Sequence, residues 1–254
     1  MRVLPVLLAP LLLSISGCGA SDTVLDNSAR AQESSVRAAG LVIPSAAHPV
    51  VLELYQSQGC SSCPPANANL NALSARPDVL ALSFAVTYWD RLGWPDRFAQ
   101  RAFTERQWDY ARANARGSVW TPQLVINGRA ATVTGRDAGD IAAQIARAGA
   151  PRGGPEITVV AGQIRLAAGP APRPATIWLV RYDPREQAVA VTAGENDGRT
   201  LPHRNIVRQL ETIGRWTGAA MTVRVPAGAD PAWRSAVLVQ AGAGGPITAA
   251  RRLD

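Results

Sequence analysis

A Cys-x-x-Cys motif between a strand pattern and a helix pattern most constrains the fold of this chain. Val50–Tyr55 is a short, mostly apolar and β-favouring run, which predicts a buried strand. Cys60-Ser61-Ser62-Cys63 follows after a loop of four residues. Pro64-Pro65 then suits the first turn of a helix, where a missing N–H costs nothing. The two sulfurs are therefore predicted to lie at a strand-to-helix junction.

Helix and strand patterns alternate from this junction to residue 150. Helices are predicted by apolar spacing and capping residues, and strands by short β-favouring runs. The predicted elements are a helix over 66–76, a strand over 79–86, a helix over 104–115, strands over 122–126 and 130–134, and a helix over 137–148. Thr104-Glu105-Arg106-Gln107 matches a capping box that opens the second helix, and Asn127-Gly128 is a hairpin signal between the two short strands. The order β-α-β-α-β-β-α predicts an α/β domain over 49–150.

The second half of the chain has the pattern of a β-structure. Gly149–Pro155 is rich in Gly and Pro and predicts a linker. The β-like runs beyond it are 156–160, 163–167, 176–182, 188–192, 222–225, 236–240 and 247–250. Ile206–Leu210 suits one helical turn or another strand. Short strands separated by Gly and Pro turns predict a small all-β, sandwich-like domain over 155–254.

The first residues have the pattern of an export signal. Met1-Arg2 is a minimal positive region, and the 13 apolar residues Val3–Ile15 are too few for a membrane span of about 20 residues. Ile15-Ser16-Gly17-Cys18 is similar to the lipobox of bacterial lipoproteins. This resemblance implies that Cys18 is diacylated and becomes the mature N-terminus. A plain secretory signal cut near Gly19-Ala20-Ser21 is the alternative, and both imply export.

The residues after the signal are expected to tether a folded domain to a membrane. Residues 1–17 are predicted to be the signal peptide and 18–48, rich in Ala, Ser, Asp and Gln, to be a flexible tether. The expected location is the cell envelope or periplasm, with a lipid anchor in a membrane. Gly19 lacks the Asp that marks inner-membrane retention in enteric bacteria, which favours the outer membrane.

Composition excludes several classes of function. All 26 cationic residues are Arg, so Lys Schiff-base chemistry and a Lys-dependent phosphate loop are excluded. The formal net charge is +7 but the basic residues form no run, so we expect no nucleic-acid partner. With two His and three Cys, no multi-ligand metal site is expected, and no other cofactor is indicated.

Two features together resemble the thioredoxin superfamily: the Cys-x-x-Cys junction and Thr121-Pro122 directly before the third strand. The chain is most similar to an exported thioredoxin-like family catalogued as a domain of unknown function, number twelve-twenty-three in its series. The motifs that carry this similarity are 57–65, 88–90 with 93–94, 121–123, 194–196 and 198–201. The resemblance covers Val50 to the C-terminus. It implies a thioredoxin-like fold for 49–150, an exported location and a cis Pro122 that faces the Cys pair, but no established substrate.

Cys60 and Cys63 form a candidate redox pair. A sulfur at a helix start lies near free N–H groups and the positive end of the helix dipole, which lower the pKa of its thiol. Cys63, one turn later, can resolve a mixed disulfide. The resemblance implies that Cys60 attacks, that Cys63 resolves and that Pro122 presents backbone to an extended substrate. The predicted activity is thiol–disulfide exchange with protein thiols and disulfides of the envelope, recycled by an unidentified redox partner.

Other roles of the two cysteines stay open. They can form an inert structural disulfide, although so small a loop gives little entropic stabilisation. The domain can have lost turnover and act only as a binding module or scaffold. A Cu(I) carrier is a further alternative because soft thiolates bind copper, but no Met lies nearby in the sequence. A zinc site would need a second Cys pair, which the sequence lacks.

Five further residues are candidates for the same site. Glu53, a charged residue on an apolar strand, is a candidate proton acceptor for the resolving cysteine; a strand-end carboxylate in water is the alternative. Trp89, Asp90 and Trp94 follow the second strand and, with Thr121, are candidate substrate-binding residues that line a groove. Packing of the loop is the alternative role of the two Trp side chains.

Polar residues of the second half have less specific roles. His203 has no acidic or Cys partner at ligand spacing, so it is predicted to be a packing or surface residue. Glu195, Arg199 and Arg204 are predicted to form a salt-bridged corner, with an anion or partner site as the alternative.

Overall fold

Strands and helices alternate through the first half of the computed structural model, which describes residues 42–253. The elements of this half are β1 (Val50–Gln56), α1 (Pro64–Leu73), β2 (Val79–Ala85), a 3-10 turn (Asp90–Leu92), α2 (Arg101–Ala113), β3 (Gln123–Ile126), β4 (Arg129–Val133) and α3 (Ala138–Ala148). The predicted order β-α-β-α-β-β-α is confirmed, with most boundaries within three residues of those expected.

The start of α2 differs from the sequence prediction. The helix begins at Arg101, three residues before the predicted capping box. The Thr104 side chain does not cap it: Thr104 Oγ1 accepts a hydrogen bond of 3.0 Å from the backbone N–H of Thr87. The hydroxyl therefore ties α2 to the segment that leaves β2.

The second half of the chain is mostly strand. Its elements are β5 (Ile157–Val160), β6 (Gln163–Leu166), β7 (Ala175–Asp183), β8 (Gln187–Ala190), a 3-10 turn (Gly194–Asn196), β9 (Thr200–His203), β10 (Ile206–Trp216), β11 (Met221–Arg224), β12 (Arg234–Ala241) and β13 (Ile247–Arg252). All the predicted β-like runs are strands. Ile206–Leu210 opens the longest of these strands, β10, and the sequence prediction missed β9.

A large central sheet joins the two halves. Its strand order is β13-β12-β7-β10-β2-β1-β3-β4. β1 and β2 are parallel, whereas β3 is antiparallel to β1. β10 meets β2 in parallel at Ile206 and Ser83, and the Asn205 oxygen just before it accepts a 3.0 Å hydrogen bond from the N–H of Ser83. The free edge of β2 is therefore occupied by a strand from the second half.

This sheet corrects the expected separate, sandwich-like domain over 155–254. β7, β10, β12 and β13 extend the sheet of the first half, while β11-β6-β5 form a smaller sheet. Residues from Val42 onward belong to one compact unit, so no domain boundary falls at the Gly/Pro-rich segment 149–155. The mixed α/β class is confirmed.

Side chains of β1 alternate between two buried clusters, one on each face of the sheet. Val51 and Tyr55 pack with Phe103 and Tyr110 of α2. On the other face, Leu52 and Leu54 pack with residues of α1. Each such buried side chain contributes about 1.5–3 kcal/mol through removal from water. The two faces therefore fix α1 and α2 on opposite sides of β1.

The two-stranded sheet β8-β9 lies against α1. The Asn67 and Asn71 side-chain amides both donate to the Pro202 oxygen, at 2.7 and 2.9 Å. The Asn71 oxygen in turn accepts a hydrogen bond of 2.9 Å from the N–H of Arg204. This packing brings the 3-10 turn between β8 and β9 close to the start of α1.

The predicted N-terminal features lie mainly outside the described residues. These are the signal peptide over 1–17, the lipidation site Cys18 and the tether up to residue 41. The described end of the predicted tether contacts the folded unit, because His48 Nε2 lies 3.1 Å from the Glu156 carboxylate. From residue 42 to residue 253, no helix has the length and apolar character that crossing a membrane requires.

Candidate functional site

Cys60 and Cys63 form a disulfide between β1 and α1, with their Cα atoms 5.4 Å apart. Cys63 is the N-cap residue of α1, and Pro64 occupies the first helical position. The Cys63 N–H donates to the Cys60 oxygen at 3.1 Å, which closes the turn between the two residues. The predicted strand-to-helix junction is confirmed, with Cys63 at the start of α1 and Cys60 in the preceding turn.

Both cysteines are buried. Cys60 is 0% exposed and Cys63 is 2% exposed, whereas Ser61 between them is exposed. The Cys60 sulfur lies 3.3 Å from the Ser62 hydroxyl. A reagent can therefore reach the tip of the loop in this conformation, but the sulfurs are covered.

The Thr121–Pro122 peptide bond is cis and lies beside the Cys loop. Tyr55 of β1 pairs with Gln123 of β3, so Pro122 borders the end of β1 from which the Cys loop leaves. Trp89 connects the two: its indole N–H donates to Thr121 Oγ1 at 2.7 Å, and a Cβ added to Gly59 would meet the Trp89 Cβ at 3.5 Å. The fold thus brings three predicted site residues, Trp89, Thr121 and Pro122, to the disulfide loop.

The other two predicted binding residues support the same loop from the segment after β2. The Trp94 indole N–H donates to Gln58 Oε1 at 2.9 Å. Asp90 Oδ1 accepts a 3.0 Å bond from the N–H of Asp96, and Asp96 Oδ2 accepts a 2.8 Å bond from the N–H of Gln58. Trp94 therefore holds the Gln58 side chain, whereas Asp90 acts on the loop only through Asp96.

Asp96 is a titratable residue of the site that the sequence prediction missed. Burial raises the pKa of its carboxyl from 3.8 to about 6, although the N–H groups of Gln58 and Phe98 act in the opposite direction. Both bonds hold the Asp96 side chain in place, at 2.8 and 2.9 Å. An acidic residue in the Trp-Pro-Asp segment was visible in the sequence, but its burial depends on distant residues.

Glu53 is a buried, ion-paired residue, so the alternative of a strand-end carboxylate in water is wrong, while its role as a proton acceptor stays a prediction. Arg106 Nη2 donates to Glu53 Oε1 at 2.6 Å, and the Tyr55 hydroxyl donates to Oε2 at 3.0 Å. Glu53 and Arg106 are both buried, on the α2 side of the sheet. Since α1 packs on the opposite face, the carboxylate is turned away from the helix that Cys63 caps.

The 3-10 turn Gly194–Asn196 binds the Cys loop directly. Glu195 Oε2 accepts hydrogen bonds from the Ser61 N–H at 3.0 Å and the Ser61 hydroxyl at 2.7 Å. The Asn196 amide donates to the oxygens of Gln58 at 2.8 Å and Cys60 at 2.9 Å. A segment of the second half is therefore bonded to the loop that carries the disulfide.

These contacts correct the predicted corner of Glu195, Arg199 and Arg204. Arg199 donates to Asn196 Oδ1 at 2.8 Å, and Arg204 pairs with Glu186 at 3.2 Å. Glu195 is bonded to Ser61 instead. The motif at 194–196 was noticeable in the sequence, but nothing local in it identified the Cys loop as its partner.

His203 is a packing residue, as predicted. It is buried, its ring lies edge-on to Phe98, and its Nδ1 is 3.0 Å from the Asn67 amide nitrogen. Because that amide is a donor, Nδ1 is the acceptor and Nε2 carries the proton. Burial lowers the pKa of His203 from 6.5 to about 4, so the ring is neutral at physiological pH.

Metal-ligating side chains are not clustered in the described part of the chain. From residue 42 to residue 253, no group of three or more His, Cys, Asp or Glu side chains is arranged to hold a metal ion. The fold therefore adds no further ligand of these types to the two sulfurs that the copper alternative would use.

The fold and site define a mixed α/β protein with a covered disulfide at a strand-to-helix junction. A family described as "Protein of unknown function (DUF1223)" matches residues 51–240. The chain belongs to this family. No curated protein matches the sequence.

Two solved structures are similar to this chain. A crystal structure of an Agrobacterium tumefaciens protein, a structural genomics target, is 36% identical with a TM-score of 0.64, over 80% of this chain and 91% of that one. The structure of HBP35 of Porphyromonas gingivalis is 11% identical with a TM-score of 0.51, over 84% of this chain and 76% of that one. At 11% identity the second similarity concerns the fold alone.

Proposed function

We propose that this chain is a thioredoxin-like thiol–disulfide oxidoreductase that acts on exported proteins through Cys60 and Cys63. The observation that carries the proposal is the disulfide at the start of α1 with the cis Thr121–Pro122 bond beside it. The order β-α-β-α-β-β-α around this pair supports a thioredoxin-like fold.

The proposed reaction moves two electrons from the dithiol to a substrate disulfide. The Cys60 thiolate attacks one substrate sulfur, which forms a mixed disulfide and releases the other substrate sulfur as a thiolate. The Cys63 thiolate then attacks the Cys60 sulfur, which closes the Cys60–Cys63 disulfide and releases the second substrate thiolate. The substrate is reduced and the pair is oxidised. A dithiol partner restores the reduced pair by the same steps, and the reverse sequence oxidises a substrate.

In this proposal, a substrate reaches Cys60 only after the turn Gly194–Asn196 moves. The cysteine is 0% exposed, and Glu195 and Asn196 are bonded to the loop around it. We expect a substrate to approach at the exposed Ser61, with Trp89 packed against the same loop at Gly59.

Reduction of insulin by the purified chain, with dithiothreitol as the electron donor, tests this activity. We expect Cys60→Ser to abolish turnover because the attacking thiol is lost and Cys63 alone cannot re-form the disulfide. Cys63→Ser is the matched variant: it should accumulate a mixed disulfide that is visible on a non-reducing gel. Turnover that is unchanged by Cys60→Ser would show that the pair does not carry the reaction.

A non-catalytic binding module is the second candidate, and the burial of both cysteines favours it. In this case the disulfide supports the loop and does not turn over. Incubation of the folded chain with reduced glutathione and, separately, with dithiothreitol, followed by thiol alkylation, separates the two candidates. A disulfide that stays closed in both reductants favours the binding module, whereas reversible opening in either favours exchange.

We further propose that the chain is exported and anchored to a membrane, in the outer membrane rather than the inner, by lipid on Cys18. The sequence pattern of residues 1–18 supports this. The expected partners are envelope proteins with thiols or disulfides and a redox protein that recycles the pair. Mass spectrometry of the mature N-terminus tests the anchor: we expect acyl chains on Cys18 and none in a Cys18→Ala variant. A mature chain that starts beyond Cys18 would contradict it.

A further inference from the structure

Glu195 places a carboxylate on the peptide group next to Cys60. Its Oε2 accepts the backbone N–H of Ser61 at 3.0 Å and the Ser61 hydroxyl at 2.7 Å. Because Ser61 directly follows Cys60, this N–H is one of the donors nearest to the Cys60 sulfur. The donor is therefore bonded to an anion of the protein and is not available to a thiolate.

Asn196 fixes the position of this carboxylate. Asn196 is 0% exposed, and its amide donates to the oxygens of Gln58 and Cys60 at 2.8 and 2.9 Å. Its own oxygen accepts from Arg199 at 2.8 Å. The Asn196 side chain thus anchors the turn to backbone oxygens of the Cys loop, and these bonds do not involve the Glu195 side chain. Glu195 itself is exposed.

The charged groups around the loop act in different directions on a thiolate at Cys60. Glu195 is the carboxylate bonded to the loop between the cysteines, and its hydrogen bonds from Ser61 lower its pKa, so it is ionised at neutral pH. Asp96, bonded to the N–H of Gln58, adds a second acidic group before the pair. The Arg199 guanidinium, on the far side of Asn196, opposes both. A nearby like charge disfavours an anion, so the two acids raise the pKa of a thiol.

The disulfide carries no charge and does not experience this repulsion. A carboxylate beside the pair therefore disfavours the reduced, thiolate-bearing state relative to the disulfide. Stabilisation of the reduced state makes a Cys-x-x-Cys pair more oxidising, so its destabilisation makes the pair more reducing.

We propose that Glu195 is a positioning residue that, through Ser61, raises the pKa of the Cys60 thiol and biases the Cys60–Cys63 pair toward its disulfide. The proposal rests on the proposed thiol–disulfide function, since it assigns the residue that sets the reducing strength of that pair. The residue that adjusts the reducing strength then lies in the second half of the chain, on the turn between β8 and β9.

Glu195→Gln tests the proposal because glutamine keeps an oxygen acceptor for Ser61 and removes the charge. The pH dependence of Cys60 alkylation in the reduced protein reports the pKa of the thiol. We expect this pKa to fall, with about threefold more thiolate at a pH below it. At a pH above the thiol pKa, the equilibrium with glutathione, or with dithiothreitol if the pair is too reducing for glutathione, should shift about threefold toward the reduced pair, and well below that pKa it should not change.

Asp197→Asn is the matched control, because it removes the same charge from the adjacent exposed residue and leaves the Ser61 contacts intact. We expect this variant to change both quantities by much less than Glu195→Gln does. The Glu195→Gln shift should also shrink between about 0.05 and 1 M salt, since salt screens exposed charges.

Two results would overturn the proposal. One is an unchanged thiol pKa and an unchanged redox equilibrium in Glu195→Gln. The other is an equal shift in Asp197→Asn, which would indicate a general effect of net charge. Neither measurement uses a protein substrate, so absence of insulin turnover would contradict the proposed oxidoreductase activity without deciding the role of Glu195.

Discussion

The side-chain amide of Asn196 donates a hydrogen bond of 2.9 Å to the backbone oxygen of Cys60, from 136 positions further along the chain. The same amide donates to the Gln58 oxygen at 2.8 Å. The loop that carries the disulfide is therefore completed by a residue of the second half. This contact adds to the shared central sheet in joining the two halves.

Asn196→Ala is expected to destabilise the protein and to expose the disulfide. The substitution leaves the oxygens of Gln58 and Cys60 without this donor, and each unsatisfied buried group costs on the order of 1–3 kcal/mol. Urea unfolding measures the loss, and the rate of reduction by dithiothreitol in the folded state should rise. Asp197→Ala, which truncates the exposed neighbour of Asn196, is the control. An unchanged reduction rate in Asn196→Ala would show that the turn does not limit access.

The buried pair of Glu53 and Arg106 is expected to matter for stability and not for thiol chemistry. Arg106→Met leaves the Glu53 carboxylate buried without its cation, which should cost about 3–5 kcal/mol of unfolding free energy. The double variant Glu53→Met with Arg106→Met should recover most of this loss, because no unpaired charge remains. Urea unfolding of Arg106→Met, Glu53→Met and the double variant gives the interaction free energy of the pair. A change in the pH dependence of disulfide exchange in Glu53→Gln, without a change in stability, would instead support a proton-transfer role.

His203 is expected to make stability depend on pH. Burial lowers its pKa from 6.5 in the unfolded chain to about 4 in the folded one. Between these values the unfolded state binds a proton that the folded state does not, so the unfolding free energy falls as the pH drops, by about 3 kcal/mol across the window. His203→Leu should remove this component, so the unfolding free energy of the variant minus that of the wild type should increase from neutral pH to about pH 4. Parallel curves for the two proteins would contradict the assignment.

Asp96 is expected to make the unfolding free energy depend on pH in the opposite direction to His203. Burial raises its pKa from 3.8 to about 6, so in this window the folded state holds a proton that the unfolded state has lost. The unfolding free energy therefore falls as the pH rises, by about 3 kcal/mol, and levels off above the folded pKa. Asp96→Asn has no charge to bury, so its stability relative to the wild type should increase over the same rise in pH. If this difference in unfolding free energy fell as the pH rose, as we expect for His203→Leu, the assignment would be wrong.

Local patterns sufficed to predict most of the elements and the place of the disulfide. The apolar run before Cys60, the two prolines after Cys63 and the hairpin signal Asn127-Gly128 each act on neighbouring residues only. Strand and helix periodicities and turn preferences are properties of short segments, so they can be read without the fold. The α/β order of the first half and the strands of the second half followed from them.

Which strands, helices and side chains contact one another depends on distant segments of the chain. No local sequence pattern contains this information. A glutamate on an apolar strand needs a partner when it is buried, and this was visible in the sequence at Glu53. That the partner is Arg106 follows only from the packing of α2. The pairing of β10 with β2 turned an expected second domain into an extension of one sheet. Likewise, the contact of Glu195 with Ser61 arises because β9 packs on α1. Burial, charge pairing and the environment of the Cys loop are thus set by contacts between residues 53 to 136 positions apart, which form only when the whole sheet assembles.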